Sequence, residues 1–461
     1  MNIMKASIYI ALIFTFTSCQ KYVDIKKTST ESLIETASDC QLVLDNYDLF
    51  NGNYPYDGEY SADGYYISSD TYNDTYTSIE DKSFYAWEPG AIRAGSTEWV
   101  ASYKKIYHTN LVLEALAKLD QTSITGNLRG AALFLRAYAY WNLAQLYTKP
   151  YGTTSNQDPG LPLHLKSDVN DVPGRGTVQQ TYDRIITDLK EAGTLLNETA
   201  PIGSRPVKAA AYAMLARVYL SMEDYANALT SANTALSLKS TLMDFNTLDT
   251  ESGTPFARYN EEVIFHSILG NNALLSAGNP FSNVAKINTD FISAYDDNDL
   301  RKTIFFKPNE DINEGTFRFT GNYEPGTSAT LFTGLTVDEL YLVRAECNAR
   351  AGNAATAMTD LNTLLRSRWV SGTYTDMTAA NADEALSKVL TERRKELIMR
   401  GQRWTDLRRL NKDVRFKTDL SRSVVVDGAT QTFTLPANDS RYTLLIPQEV
   451  ITNSSLPQNA R

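Results

Sequence analysis

The segment YAMLARVYLSMEDYANALTSANTAL, residues 212–236, decides the fold of this chain. Its aromatic, aliphatic and small side chains recur mostly at intervals of three or four residues, at Tyr212, Leu215, Ala216, Tyr219, Ala228, Ala232 and Ala235. This spacing predicts two helices that each bury one face. The alanines leave room for the two helices to approach closely, so we expect an antiparallel helical pair.

The same register recurs further along the chain, at Tyr341, Ala345, Asn348, Ala357, Leu361 and Leu364. Gly352-Asn353 provides the turn between the two helices of this second pair. The spacing matches the tetratricopeptide pattern, and residues 98–147 and 384–410 resemble divergent units of it. Repeats of this kind bury their faces against neighbouring repeats, which predicts a superhelical scaffold.

The remaining segments interrupt the helical pattern. Residues 51–97 and 149–176 read as loops, and residues 245–335 contain one predicted strand at Val263–Phe265. Residues 424–426 and 433–435 predict a hairpin. We therefore expect a mainly α protein, with a tetratricopeptide-like helical-repeat scaffold and a loop-rich, irregular subdomain carrying a few short β-strands. The chain is predicted to divide into three parts, at residues 1–18, 19–245 and 246–461.

Aromatic residues concentrate in one of the predicted loop regions. Residues 54–87 contain eight Tyr, one Phe and one Trp, whereas aromatics make up 11% of the whole chain. Tyrosine combines an apolar ring with a polar hydroxyl and suits both cores and wet binding surfaces. The segment is therefore either an extended cover of the core or a binding face.

The charge balance excludes one large class of function. The chain has a net charge of −10 and no basic stripe apart from a short cluster near residues 393–409. Nucleic-acid binding depends on a basic surface, so no nucleic-acid partner is expected.

The N-terminus has the features of an export signal. Residues 1–18 contain Lys5 and an apolar run at residues 8–14, which is too short to span a bilayer. Ser18 precedes Cys19, and a small residue before a cysteine at this place resembles a bacterial lipobox. We expect cleavage before Cys19, lipidation of Cys19, and attachment to a membrane through that lipid. An ordinary secretory signal with an incidental cysteine is the alternative.

Catalytic motifs are absent from the sequence. The three histidines, His108, His164 and His266, are far apart and form no paired-histidine motif. No phosphate-binding loop or nucleophile elbow is present. The charged run 392–409 is interpreted as a network of Arg–carboxylate pairs between helices. We expect no catalytic residue, no cofactor and no metal ion, although a pair of carboxylates for glycoside hydrolysis can be judged only in space.

A family resemblance extends over nearly the whole chain. The segments that carry it are Trp99 to Asn110, Leu135 to Tyr140, Gly160 to Leu163, Tyr182 to Leu189, Glu262 to Phe265, Asp299 to Arg301, Glu392 to Leu397, Gly401 to Arg409, and Arg441 to Pro447. Together with the N-terminal signal they resemble the SusD/RagB family of outer-membrane nutrient-binding lipoproteins. One departure is Arg400, where the family often has an acid.

The resemblance implies a surface-exposed, lipid-anchored protein of the outer membrane and not an enzyme. Such a protein captures oligosaccharides and passes them to a TonB-dependent, SusC-like transporter. A member of the same family that binds peptides or another polymer is the main alternative. A glycoside hydrolase and a tetratricopeptide adaptor for protein termini are weaker alternatives.

The resemblance also indicates where the ligand binds, on loops that leave the helical scaffold. Two segments match those places, Asp70–Tyr76 and residues 270–284. We predict Tyr72, Tyr76 and Phe281 as stacking platforms, with Asn73 and Asn271 as hydrogen-bonding partners. The alternative for the tyrosines is packing over the scaffold, and Trp87 is predicted to belong to the core.

Overall fold

A computed structural model describes residues 34–326 and 329–461. Seventeen α-helices lie in these ranges: α1 Ala37–Leu44, α2 Tyr47–Phe50, α3 Asp57–Ser61, α4 Ser69–Asn73, α5 Ile79–Tyr85, α6 Thr97–Leu116, α7 Ser123–Tyr147, α8 Val178–Leu195, α9 Lys208–Ser221, α10 Tyr225–Leu238, α11 Thr289–Ser293, α12 Arg301–Phe305, α13 Val337–Arg350, α14 Ala354–Arg366, α15 Ala382–Glu396, α16 Arg403–Leu410 and α17 Gln448–Asn453. Thr36–Arg461 form one compact unit.

The strands are short and form small antiparallel sheets. Their bounds are β1 Pro159–Pro162, β2 Arg175–Thr177, β3 Val263–Phe265, β4 Lys286–Ile287, β5 Phe306–Pro308, β6 Phe317–Phe319, β7 Leu335–Thr336, β8 Leu420–Val426 and β9 Ala429–Leu435. The pairs are β1 with β2, β3 with β7, and β8 with β9, while β6 lies between β4 and β5. The predicted strand at Val263–Phe265 and the predicted hairpin are both confirmed, which agrees with the expected fold class.

The two predicted repeat pairs are the centre of the scaffold. Helix α9 packs on α10, α13 packs on α14, and α10 also packs on α13. Ala216 in α9 and Ala345 in α13 are fully buried. Gly352 adopts a φ of +87° in the turn between α13 and α14, where a side chain would be strained. Small side chains therefore stand at buried positions of both helical pairs, as the spacing predicts.

Residues 51–97 differ from the predicted loop because they contain three short helices, α3, α4 and α5. Ser68 and Ser78 start α4 and α5 by accepting hydrogen bonds from the amides of Thr71 and Asp81, at 3.1 and 3.0 Å. Most aromatic rings of the segment are buried, including Trp87, which confirms its predicted place in the core. The segment therefore covers the core over most of its length.

A buried ion network joins distant segments around α15. Arg301 contacts Asp299, Glu392 and Glu396 at 2.5 to 2.9 Å. Arg368 contacts Glu396 and Glu262 at 2.8 and 2.7 Å. Further along, Arg393 and Arg409 share Asp406, and Arg409 also contacts Glu346. The charged run 392–409 thus forms the predicted Arg–carboxylate pairs.

No helix among the described residues is long and apolar enough to cross a membrane. The predicted signal peptide and Cys19 lie outside the described residues, so their roles remain predictions. The predicted division of the chain at 245/246 also remains a prediction.

Candidate functional site

An isolated backbone bridge lies beside the two segments predicted to carry the ligand site, just before the first and just after the second. The amide of Tyr66 donates to the carbonyl of Lys286 at 2.8 Å, and the amide of Lys286 donates back at 2.9 Å. Because the bridge is antiparallel, positions 68 and 284 flank one end of it and positions 64 and 288 flank the other. The predicted segments 70–76 and 270–284 both lie beyond the first end, and we call them the loop face.

Tyr72 is buried within the fold, whereas the neighbouring Asn73 is exposed and bonds to the scaffold through one group only. Tyr72 is 8% exposed, and its ring lies 5.9 Å from the ring centres of both Tyr85 and Phe433. The side-chain amide of Asn73 donates to the carbonyl of Val425 in strand β8 at 2.7 Å. Burial leaves Tyr72 little free ring face, which favours the alternative of packing over the scaffold.

Tyr76 has the opposite environment. Its residue is 96% exposed, and its amide donates to the Asp74 carboxylate at 2.8 Å. This Asx-type turn fixes the backbone while the ring faces solvent. Tyr76 therefore offers an aromatic face at the position where the sequence predicts a stacking platform.

The loop 270–284 is shaped by buried anchors that the sequence reasoning missed. Leu274 and Leu275 are buried, and Asn283 is 4% exposed. The Asn283 side-chain amide donates to the carbonyls of Ala277 and Ala285, at 2.9 and 2.7 Å, and its oxygen accepts from Asn309. One polar side chain thus fixes both arms of the loop. The sequence could not predict this anchor, because nothing in the pattern of a Gly/Asn/Ser-rich loop indicates which of its residues are buried.

Phe281 lies at the tip of this loop and is 57% exposed. Its amide donates to Asn279 at 2.9 Å, and its carbonyl accepts from Asn313 at 3.1 Å. Asn271 is exposed near the start of the loop. Phe281 and Asn271 are therefore free to contact a ligand, on a segment separate from that of Tyr76.

A pocket of about 350 Å³ opens at the other end of the bridge, beside Gly64 and Asn288. Phe291, Arg394 and Arg403 also contribute to its lining. We call it the arginine pocket. Helix α11 supplies Phe291, while α15 and α16 supply the two arginines. The sequence reasoning missed this pocket, because it interpreted the charged run 392–409 as a structural network and the pattern does not separate exposed arginines from buried ones.

Asp63 joins the two arginines of the pocket. It accepts from Arg403 Nε at 2.6 Å and from Arg394 Nη2 at 3.0 Å. Burial alone would raise the pKa of Asp63, but the two guanidinium groups hold it well below its usual range. Arg394 keeps 44% of its side chain exposed, with its guanidinium 5.2 Å from the centre of the Phe291 ring.

These groups suit non-covalent recognition of a polar ligand. Exposed rings offer apolar faces, and amides and guanidinium groups offer hydrogen-bond donors. Among the described residues, no cluster of three or more His, Cys, Asp or Glu side chains is arranged to bind a metal ion. The exposed side chains of the loop face and the arginine pocket are the candidate binding groups.

Two family models match the chain. One, described as starch-binding and associating with the outer membrane, matches residues 21–220. The other, described as the SusD family, matches residues 337–459. A curated relative, SusD-like protein P38 of Formosa agariphila, is 23% identical, with 90% of this chain and 92% of the relative covered.

Solved structures show the same fold. A putative sugar-binding protein of Bacteroides vulgatus superposes with a TM-score of 0.74 at 23% identity, covering 93% of this chain and 99% of the other. A SusD superfamily protein of Bacteroides thetaiotaomicron gives 0.71 at 22% identity, covering 92% and 100%. Surface glycan-binding protein A of Bacteroides uniformis gives 0.71 at 19% identity, covering 92% and 99%. At these levels of sequence identity, the similarity to the solved structures shows a shared fold only.

Proposed function

Since the chain belongs to the SusD/RagB family, we propose that it is an outer-membrane lipoprotein that captures oligosaccharides and is not an enzyme. The observation that carries the proposal is the match of two models of this family to separate segments of one chain, one of them described as starch-binding. The sugar-binding and glycan-binding proteins of the same fold add support.

The exposed groups of the loop face give the proposal a physical basis. Tyr76 and Phe281 present ring surface to solvent, and sugars offer C–H faces that pack on such rings. Asn271, together with Arg394 in the arginine pocket, adds donors for sugar hydroxyls. Tyr72 is left out of the proposed contacts, and the exposed Asn73 is kept as a proposed hydrogen-bonding partner, with its side-chain amide held by strand β8.

The attachment and the partner belong to the same proposal. The lipobox-like Ser18-Cys19 supports a lipid anchor in the outer membrane, with the folded part at the cell surface. The family resemblance supports transfer of the captured sugar to a TonB-dependent, SusC-like transporter.

An array that carries both glycans and peptides tests the ligand class. The purified chain without residues 1–19 is applied to neutral and acidic oligosaccharides and to peptides of matched length. We expect binding to a related group of oligosaccharides and none to the peptides. Binding confined to peptides would replace the proposal with the peptide-binding alternative, and binding to neither class would refute it.

Hydrolysis is tested on the same oligosaccharides. We expect each bound sugar to be recovered intact after prolonged incubation with the protein, as judged by mass spectrometry. Shortened products that increase with protein concentration would show that the chain is a glycoside hydrolase.

A further inference from the structure

A second concave site lies between the loop at 149–159 and the C-terminal segment. Its volume is about 740 Å³, within the range of cavities that hold small ligands. The end of α16 forms its base through Arg408, Asn411 and Lys412. We call this site the C-terminal cleft, and it shares no lining residue with the loop face or the arginine pocket.

Hydrogen bonds between the base of the C-terminal cleft and the segments on either side hold those segments in place. Lys412 donates to the carbonyl of Tyr151 at 2.7 Å. The side-chain amide of Asn438 donates to the carbonyl of Asn411 at 2.7 Å. Arg408 donates to the carbonyls of Gln145 and Thr148 at the end of α7. Because each side is tied to α16, little ordering would be required when a ligand enters.

The charged groups of the cleft are balanced. Lys149 pairs with Asp158 at 2.6 Å, and Lys412 pairs with Glu223. Asp439 pairs with Arg441 at 2.8 Å. Arg408 lies against backbone carbonyls at the negative end of the α7 dipole, which compensates its charge. A balanced cleft favours a neutral ligand over an anion or a cation.

The polar atoms of the cleft include both donors and acceptors. Arg408 Nε is one of several buried donors in the described part of the chain that have no hydrogen-bond partner. The side chains of Lys149 and Asn438 offer donors at the cleft, and the carboxylates of Asp158 and Asp439 keep free lone pairs, so a ligand hydroxyl is able to accept from the first pair and donate to the second.

Tyr151 adds an aromatic ring to this polar lining. Its hydroxyl donates to Gln179 at 2.6 Å, and its ring lies 5.0 Å from that of Tyr182. These two contacts hold a half-buried ring at the edge of the cleft. An aromatic ring beside mixed donors and acceptors suits a ligand that alternates C–H faces with hydroxyl groups.

We propose that the C-terminal cleft is a second carbohydrate site, which binds a short neutral stretch of oligosaccharide independently of the loop face. The inference rests on the proposed function, because both sites would take the same class of ligand. Two sites on one chain would bind a long glycan more tightly than either site alone, provided that the glycan spans both.

Calorimetry with the neutral oligosaccharides that bind the wild-type chain on the array tests the second site. Thr153 is exposed and lines the cleft, so Thr153→Trp should block it. The matched control is Thr359→Trp, which changes an exposed threonine on α14. We expect two binding events in the wild type and the control, and one in Thr153→Trp. The event that remains should disappear when Tyr76→Ala and Phe281→Ala are added.

Hydrogen exchange on the wild type provides a readout that needs no variant. We expect saturating oligosaccharide to slow exchange in peptides covering 149–159 and 438–460. A single binding event that Thr153→Trp leaves unchanged, with no added protection in those peptides, would overturn the second site and leave the proposed function intact. If no oligosaccharide binds the wild type, the proposed function and the second site both fail.

Discussion

Tyr72 and Tyr76 are four residues apart and have opposite environments. Tyr72 packs between Tyr85 and Phe433, whereas Tyr76 is almost entirely exposed. Both are tyrosines in one polar segment, so residue type and spacing alone could not separate them. The separation comes from the hairpin β8–β9, which is more than 340 residues away in sequence and covers Tyr72 but not Tyr76.

Alanine at these positions should separate binding from stability. We expect Tyr76→Ala and Phe281→Ala each to weaken oligosaccharide binding about tenfold, or about 1.4 kcal/mol, with an unchanged melting temperature. Tyr72→Ala should do the reverse and cost about 3 kcal/mol of stability, because it removes a buried ring. Calorimetry and thermal unfolding measure the two effects. Unchanged affinity in both exposed-ring variants would remove the loop face from the ligand site.

Glu59 should make stability depend on pH. It is fully buried, its Oε2 accepts from the amide of Gly401 at 2.8 Å, and its Oε1 has no partner among the described residues. Burial raises the pKa of Glu59 to about 7. The folded protein therefore keeps this proton while the unfolded chain releases it above about pH 4.5, so stability falls from pH 4.5 to 7.

Glu59→Gln removes this titration. The variant should match the wild type near pH 4.5 and exceed its unfolding free energy at pH 8 by up to about 3 kcal/mol, since one pKa unit corresponds to about 1.4 kcal/mol. Urea unfolding at both pH values measures the difference, with the exposed Glu314→Gln as control. Parallel pH profiles for wild type and Glu59→Gln would show that Glu59 stays ionised in the folded protein.

At the level of elements, the helical pairs depend on small side chains. Ala216→Leu and Ala345→Leu should each overpack a buried contact and cost about 1–3 kcal/mol. Ala226→Leu, an exposed change on α10, is the matched control and should be close to neutral. Chemical unfolding midpoints give the comparison. Equal midpoints for all three variants would contradict close packing at positions 216 and 345.

The buried ion network should matter more than ion pairs at the surface. Arg301→Met leaves Asp299 and Glu392 buried with fewer partners, so we expect a loss of about 3–5 kcal/mol. Arg366→Met breaks the exposed pair with Asp376 and should cost less than about 1 kcal/mol. Urea unfolding measures both losses. Similar losses of unfolding free energy in the two variants would mean that the buried ion network contributes no more to stability than an exposed ion pair does.

Sequence patterns predicted long elements well and short ones poorly. The period of α9, α10, α13 and α14 extends over three or more turns, so it identified the helices and their buried alanines. Helix α3 has five residues and α5 has seven, too few for a period to stand out. The C-terminal cleft could not be predicted, because its parts near 151, 411 and 438 meet only in the folded chain.

At the scale of the whole molecule, the proposed lipid anchor at Cys19 would determine where the protein is found. Cys19→Ala should leave a folded protein that no longer partitions with outer membranes, because the acyl chains are its expected anchor. Membrane fractionation gives the location, and thermal unfolding of the released protein checks the fold. Equal membrane association of wild type and variant would refute the lipobox interpretation.

Three arginines of the C-terminal segment donate hydrogen bonds to backbone carbonyls at the end of the aromatic segment. Arg422 donates to the carbonyl of Tyr85, Arg441 to that of Trp87, and Arg461 to that of Pro89. The aromatic segment at 54–87 therefore depends on partners more than 330 residues away along the chain. Contacts over such a distance form slowly. We therefore expect the unfolded chain to expose aromatic rings until these distant contacts have formed, and to depend on chaperones during that interval.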